Sequence, residues 1–129
     1  TLQFHMIAGA PDPVAPFSHA VEADGWVHVT GQMPFAGTSI DEPYPEGIAA
    51  QTQQVMRNLR TVLQGCALDW PNVVSMRVYL LHFERDYAAM NAVYAGYFAP
   101  GKRPARTCVG VSGLAKGALV EIDLVARRP

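Results

Sequence analysis

At 129 residues, half of them apolar and 16% charged, the chain has material for one real core and no room for a second domain. A net charge of −1 and the absence of a Lys/Arg cluster argue against a nucleic-acid surface, whose affinity rests largely on neutralised phosphates. No apolar run approaches the roughly 18 residues of a membrane helix, and no charged-then-apolar leader is present, so the chain reads as soluble, unexported and cytosolic. It opens at Thr1 without a methionine, which leaves a short preceding leader open.

Leu2 to Ile7 has the character of a first strand, and the prolines at 11, 13 and 16 then forbid regular structure through residue 16. Ser18 to Ala23 and Trp26 to Thr30 read as two strands joined by Asp24-Gly25, the strongest short hairpin signal in the sequence. After a loop carrying Pro34, Gly37, Pro43 and Pro45, the apolar positions Ile48, Val55, Leu59, Val62 or Leu63, and Cys66, with Thr52 among them, recur at steps of three and four. That spacing predicts an amphipathic helix, ended between Gly65 and Pro71. Val73 to Leu81 is β-branched and apolar, hence a strand. Asp86 is placed to cap a second helix over Tyr87 to Phe98, stopped by Pro100-Gly101.

The tail carries the most chemistry. From Ala105 to Val111 and again from Ala118 to Ala126 the residues alternate as in strands, and the short Ser112–Gly117 link favours an antiparallel hairpin. Matching the apolar faces pairs Thr107 near Val120 and Arg106 near Glu121, with side chains about 5 Å apart. Such a pair on a wet face is commonly no more than a surface salt bridge. The alternative is a site in which a permanent cation stands beside a possible base.

The resulting order, βββαβαββ, fits an α/β (α+β) domain with one mixed six-stranded sheet and two helices on a single face. The uncovered face then carries Trp26, His28, Thr30, Tyr79 or Val78, and the Arg106–Glu121 row. It is too apolar to stay wet, so a closed homo-oligomer with ligand clefts between subunits is expected. On the second helix Asn91 falls on the stripe Tyr87, Asn91, Tyr94, Phe98, where an amide must find partners; holding a loop and touching a ligand are both open. Cys66 and Cys108 read as reduced thiols, and His5, His19, His28 and His82 have no metal-ligand spacing, so no metal is expected.

Ala15-Pro-Phe17-Ser18, Thr30-Gly31-Gln32, Gln51-Thr-Gln53, Asn91-Ala-Val-Tyr94, and above all Pro104-Ala-Arg-Thr-Cys-Val109 with Val120-Glu-Ile122 resemble the RidA/YjgF reactive-intermediate deaminases. The resemblance spans about Ala15 to Ala126. It implies a chorismate-mutase-like fold, a homotrimer with three inter-subunit clefts, no cofactor, and hydrolysis of small enamine or imine acids such as 2-aminoacrylate to 2-keto acids and ammonia; charge and hydropathy, as above, give the expectation of no nucleic-acid and no membrane partner. By the same resemblance Arg106 clamps the substrate carboxylate and Glu121 positions and polarises the attacking water. Thr30, Gly31 and Cys108 line the site, Cys108 chiefly through its backbone, and Asn91 shapes it from nearby. Phe17 departs from the tyrosine common in deaminating members, which removes a phenol hydroxyl and puts substrate preference in question. Other readings of the same cleft are a non-catalytic carboxylate-binding or regulatory protein, and a ribonuclease or translation inhibitor, the latter opposed by the neutral charge.

Overall fold

The Asp24-Gly25 turn is where the sequence commits the backbone most clearly. Both residues adopt positive φ, 52° and 81°, the conformation a two-residue hairpin turn needs and one that glycine adopts without steric penalty. In the computed structural model, which describes all residues from Thr1 to Pro129, this turn joins β2 (Ala20–Ala23) to β3 (Trp26–Gln32). The strand β1 (Gln3–His5) pairs antiparallel with β2. The first helix, α1 (Ile48–Gly65), leads through a short 3-10 turn to β4 (Val73–Leu80), then α2 (Phe83–Ala95), β5 (Ala105–Gly110) and β6 (Val120–Arg127). One six-stranded sheet results, in the order β1-β2-β3-β6-β4-β5.

That order overturns the tail hairpin. The strands β5 and β6 are not neighbours, because β4 lies between them: β5 runs parallel to β4 and β6 antiparallel to it. A parallel neighbour needs a crossover, and α2 supplies it. The connection Val111–Leu119 passes over the end of β4, where the Val111 amide donates to the Leu80 carbonyl and the Leu81 amide to that of Leu119, each at 3.0 Å. Arg106 therefore pairs in register with Met76 and Glu121 with Tyr79.

Both helices cover the face formed by Val27, Val29, Met76, Val78, Leu80, Val120, Ile122, Leu124 and Ala126, all buried. The first helix contributes Thr52, Val55, Met56, Leu59, Val62 and Leu63 to the same core, as its spacing predicts. The second helix begins earlier than expected. Phe83 packs against the core at its start, and Glu84 and Asp86 lie in its first turn, where acidic charge suits the helix dipole. Asp86 is thus no cap; it is a buried helical residue paired with Arg85 at 2.9 Å. The core stripe of α2 is correspondingly Met90 and Tyr94, continued by Phe98 beyond its end, while Tyr87 is exposed and Asn91 half-buried at its margin.

The other sheet face is bare. Phe4, Val21, His28, Val125 and Ser75 form one continuous cross-strand row on it, and Trp26, Thr30, Arg77, Tyr79, Glu121 and Asp123 share that side. Val78, by contrast, is fully buried beneath the helices.

Buried polar groups fasten the loops. His19 accepts from the Ile7 amide through Nδ1 at 2.8 Å, and its Nε2 donates to the Pro11 carbonyl at 2.8 Å, which fixes the neutral tautomer. Asn58 on α1 donates to the carbonyls of Met33 and Phe35 at 2.9 and 2.8 Å, holding the segment after β3 against the helix. Replacing Asn58 with alanine leaves the Phe35 carbonyl without its side-chain donor and the Met33 carbonyl with the Phe35 amide alone, at 2.9 Å. The expected loss is about 1–3 kcal/mol, read as a lower urea midpoint at unchanged denaturant slope; an unmoved midpoint contradicts the assignment.

At the sheet edge Arg128 donates to both oxygens of Glu22, with Nη2 at 2.8 Å, and His5 Nε2 lies 3.2 Å away. The hydrogen bonds from Arg128, aided by His5 and opposed by burial, hold the Glu22 carboxyl down to about 2. A depressed acid stabilises the fold in full above its unfolded value, roughly 4.3, and that contribution disappears as pH falls through about 2. Thermal unfolding followed across this interval is expected to show a shallower acid-side decline for Glu22→Gln than for the wild type. Parallel declines would exclude Glu22 as the source.

Candidate functional site

Arg106 lies on the helix-covered side of β5, opposite the bare face. Its register partner Met76 is a core residue, and its guanidinium reaches back to α2. Nη1 donates to Asn91 Oδ1 at 2.7 Å and Nη2 to the Tyr87 hydroxyl at 3.3 Å. The cation also lies 4.9 Å from the Tyr94 ring centre and 5.9 Å from that of Tyr87, distances at which the ring faces attract it. No carboxylate pairs with it. Of its five N–H donors, two are committed to this shelf and the rest are free for an anion. Asn91 thus serves as the anchor of Arg106, and Tyr87 and Tyr94, expected only in a core stripe, join it around the guanidinium as candidate site residues. Their i, i+4, i+7 spacing held the signal: it aligns one amide and two phenols on a single helix face.

Cys108 follows on the same side of β5, in register with Val78 and packed against the core. Burial pushes its thiol above the usual range, with Arg106 pulling weakly the other way. A thiol so placed stays protonated and is a poor nucleophile.

Glu121 occupies the opposite face. It stands on β6 between Tyr79 of β4 and the bulge in β3, where Thr30 and Gly31 fall between the pairs Val29–Leu124 and Gln32–Ile122. The bulge carries Gly31 so close to the carboxylate that a Cβ there would lie 2.1 Å from Glu121 Oε2, so a side chain at 31 would displace the acid. Burial raises the Glu121 pKa above the ordinary carboxylate range, and the charge of Asp123 raises it further. Asp123 is itself committed, accepting two bonds from Arg77 at 2.9 Å and one from Tyr79 at 3.2 Å. Glu121 has no such cation. Nearby, burial and the negative charge of Glu121 push the Tyr44 phenol up to about 12, and its hydroxyl donates to the Ala115 carbonyl at 3.1 Å.

Gly31 stands beside Glu121. With Phe17 and Thr30 it lines a concavity of about 660 Å³ on the bare face, whose walls include His28, Arg77 and Asp123 and do not include Glu121. A second concavity, about 260 Å³, lies on the other side of the sheet beside Arg106, Asn91 and Tyr94. The expected site residues are therefore divided within one chain: Arg106, Cys108 and Asn91 on the helix side, Glu121, Thr30, Gly31 and Phe17 on the bare side. The expected Arg106–Glu121 contact does not exist. No group of three His, Cys, Asp or Glu side chains is arranged to hold a metal ion, and no helix is long and apolar enough to cross a membrane.

This geometry has known relatives. The sequence model of the family described as endoribonuclease L-PSP matches residues 7–128. A RutC family protein of Synechocystis is 39% identical over 129 residues, covering 100% of this chain and 98% of that protein. The crystal structure of yeast Mmf1 superposes with a TM-score of 0.91 at 30% identity, over 100% of both chains. That of Escherichia coli TdcF with bound serine does so with a TM-score of 0.86 at 25% identity, over 97% of this chain and 99% of that one. With the six-stranded sheet, the two helices on one face and the tail motif in the same frame, the chain belongs to the RidA/YjgF family.

Proposed function

We propose that the protein is a hydrolase that deaminates small enamine or imine acids to 2-keto acids and ammonia, in clefts between copies of the chain, with no cofactor. The observation that carries this reading is the division of charge: an arginine held by an amide and two phenols with no counter-ion, and an acid raised by burial with no cation, on opposite faces of one sheet. A bidentate carboxylate clamp needs the first. A water-activating group needs the second, since a general base works best with a pKa drawn toward the working pH. TdcF with serine in its crystal supports a small amino-acid-like ligand for the family.

In the proposed reaction Arg106 binds the substrate carboxylate through its free N–H groups, while Asn91 and the tyrosines hold the fork in plane. The enamine takes a proton at its β-carbon to become the iminium. Water adds to the iminium carbon as Glu121 accepts one of its protons, forming a neutral carbinolamine. Glu121 returns that proton to nitrogen, ammonia leaves, and the hydroxyl proton is released as the keto acid forms, balancing the proton taken up at the β-carbon. Thr30 and Gly31 present a hydroxyl and an amide beside this carbon, and Cys108 lines the wall as backbone and neutral thiol. Phe17 supplies apolar surface without a hydroxyl to bond substrate or water.

Because Arg106 and Glu121 face opposite sides of the sheet, a second copy must bring the missing half. A homotrimer closes three such clefts and also covers the exposed Phe4, Trp26 and Phe17. Non-catalytic carboxylate binding uses the same arginine and is distinguished by turnover alone; ribonuclease activity would require a cationic path that a chain of net charge −1 does not offer.

Arg106→Ala and Glu121→Gln are each expected to abolish ammonia release from 2-iminopropanoate generated in situ by a dehydratase. Unfolding the two variants together at equal amounts and refolding them is expected to restore about a quarter of the wild-type activity, since one cleft in four then pairs an intact arginine with an intact acid. No recovery places both groups in one chain's site and sinks the shared cleft. The pH dependence of kcat/KM gives a second measurement. Its acid limb, the ionisation of Glu121, should lie above the ordinary carboxylate range and move down in Asp123→Asn, where one of the two causes of the raised pKa is removed; a limb that does not move assigns it to another group.

A further inference from the structure

The concavity beside Arg106 holds a second cation that the deamination reading does not use. Its walls are Asn91, Tyr94 and Ala95 on one side and Arg103, Pro104 and Arg106 on the other. None of them is acidic, and neither arginine has an ion-pair partner. Arg103 and Arg106 therefore face one concavity with no counter-charge between them.

The backbone at Arg103 is restrained on both sides. The Lys102 amide donates to the Ala99 carbonyl at 3.0 Å, closing the turn just before it, and Pro104 restricts the backbone just after. Both arginines act on the same ring: burial raises the Tyr94 phenol pKa, while Arg106 and Arg103 each draw it back. A volume of about 260 Å³ has room for an acid of a few carbons.

We infer that Arg103 is a specificity-determining residue, and that the ligand of the Arg106 pocket is a dicarboxylate, the imine or enamine of a short 2-amino dicarboxylic acid. Arg106 takes the carboxylate next to the imine carbon, and Arg103 meets the distal one. The exposed side chain of Arg103 keeps its charge in water until a second anion arrives, so it discriminates between ligands more than it adds to the binding of all of them. This assignment rests on the carboxylate-clamp reading of Arg106, but it is a statement about binding and can be tested without turnover.

The test is calorimetric titration of the assembled protein with two five-carbon keto acids, 2-oxoglutarate and 2-oxopentanoate, in wild type, Arg103→Gln and Arg106→Ala. Wild type should prefer the dicarboxylate by about fivefold, with the preference shrinking at high salt. Arg103→Gln should erase the preference while leaving 2-oxopentanoate affinity unchanged, and Arg106→Ala should weaken both acids. The inference is overturned by no preference in wild type, by a preference that survives Arg103→Gln, or by binding of neither acid. An equal loss for both acids in Arg103→Gln reduces that residue to a general field and overturns it as well. Failure of every imine acid to turn over, with the affinity ratio intact, would sink the deaminase reading alone.

Discussion

Val120, Ile122, Leu124 and Ala126 are buried along the whole length of β6, and both edges of that strand are occupied, by β3 on one side and β4 on the other. A last strand inserted at the centre of a sheet joins the N-terminal strands to the β4–α2–β5 crossover. Side-chain alternation then does the rest. With Ile122 and Leu124 facing the helices, Glu121 and Asp123 must face away. With Cys108 in register beside Val78, Arg106 must face the helices. A one-residue slip in either ladder would put apolar side chains in water and the acid in the core, so the division of charge is as firmly determined as the core itself.

Neighbouring elements convert that division into two environments of opposite character. On the helix side α2 offers an amide and two phenols, groups that orient a guanidinium without neutralising it. On the bare side the bulge of β3 brings Gly31 down onto the carboxylate, and Arg77 saturates Asp123. Asp123 then acts on Glu121 only as a nearby negative charge. Asn58 and Gln51 of α1 reach up to backbone groups of the surrounding loops, Asn58 at Met33 and Phe35 and Gln51 at Pro45 and Leu119, so the segments beside Glu121 are tied to the rigid helix. The position of the acid is thereby coupled to the packing of the first helix.

Most elements were legible as periodicity. The α1 stripe, the Asp24-Gly25 turn and the strand character of 73–80 each depend on local spacing, and each stands where it was expected. What local spacing does not contain is which strands are neighbours. The alternations at 105–111 and 118–126 are equally consistent with a hairpin and with two strands separated by a third, and the link between them is long enough for either. The sheet order is decided by α2, which makes β5 a parallel partner of β4 and leaves the other edge of β4 for β6. The error at Asp86 has a similar origin: cap propensity is local, but burying Phe83 starts the helix a turn sooner. The candidate site residues came from short motifs along the chain, the tail motif above all, and their resemblance. Their division between two faces followed from the topology, which the motif does not encode.

A domain of this size is held together by only about 5–15 kcal/mol, and leaving a half-buried acid without a cation draws on that margin. A cross-strand Arg106–Glu121 pair would have removed the strain at little topological expense, had β5 and β6 been neighbours. Instead the fold assigns other arginines to other acids, Arg77 to Asp123, Arg85 to Asp86 and Arg128 to Glu22, and leaves these two groups without a counter-ion. Under the proposed assembly the arrangement has a physical rationale. An arginine and an acid that neutralised each other within the chain would have to be separated before a substrate could bind, which would oppose both clamp and base. Kept on opposite faces, neither can quench the other in the isolated chain, and a cleft between copies brings them to the two ends of a small anionic ligand, where the carboxylate satisfies the arginine and leaves the acid free to take a proton from water.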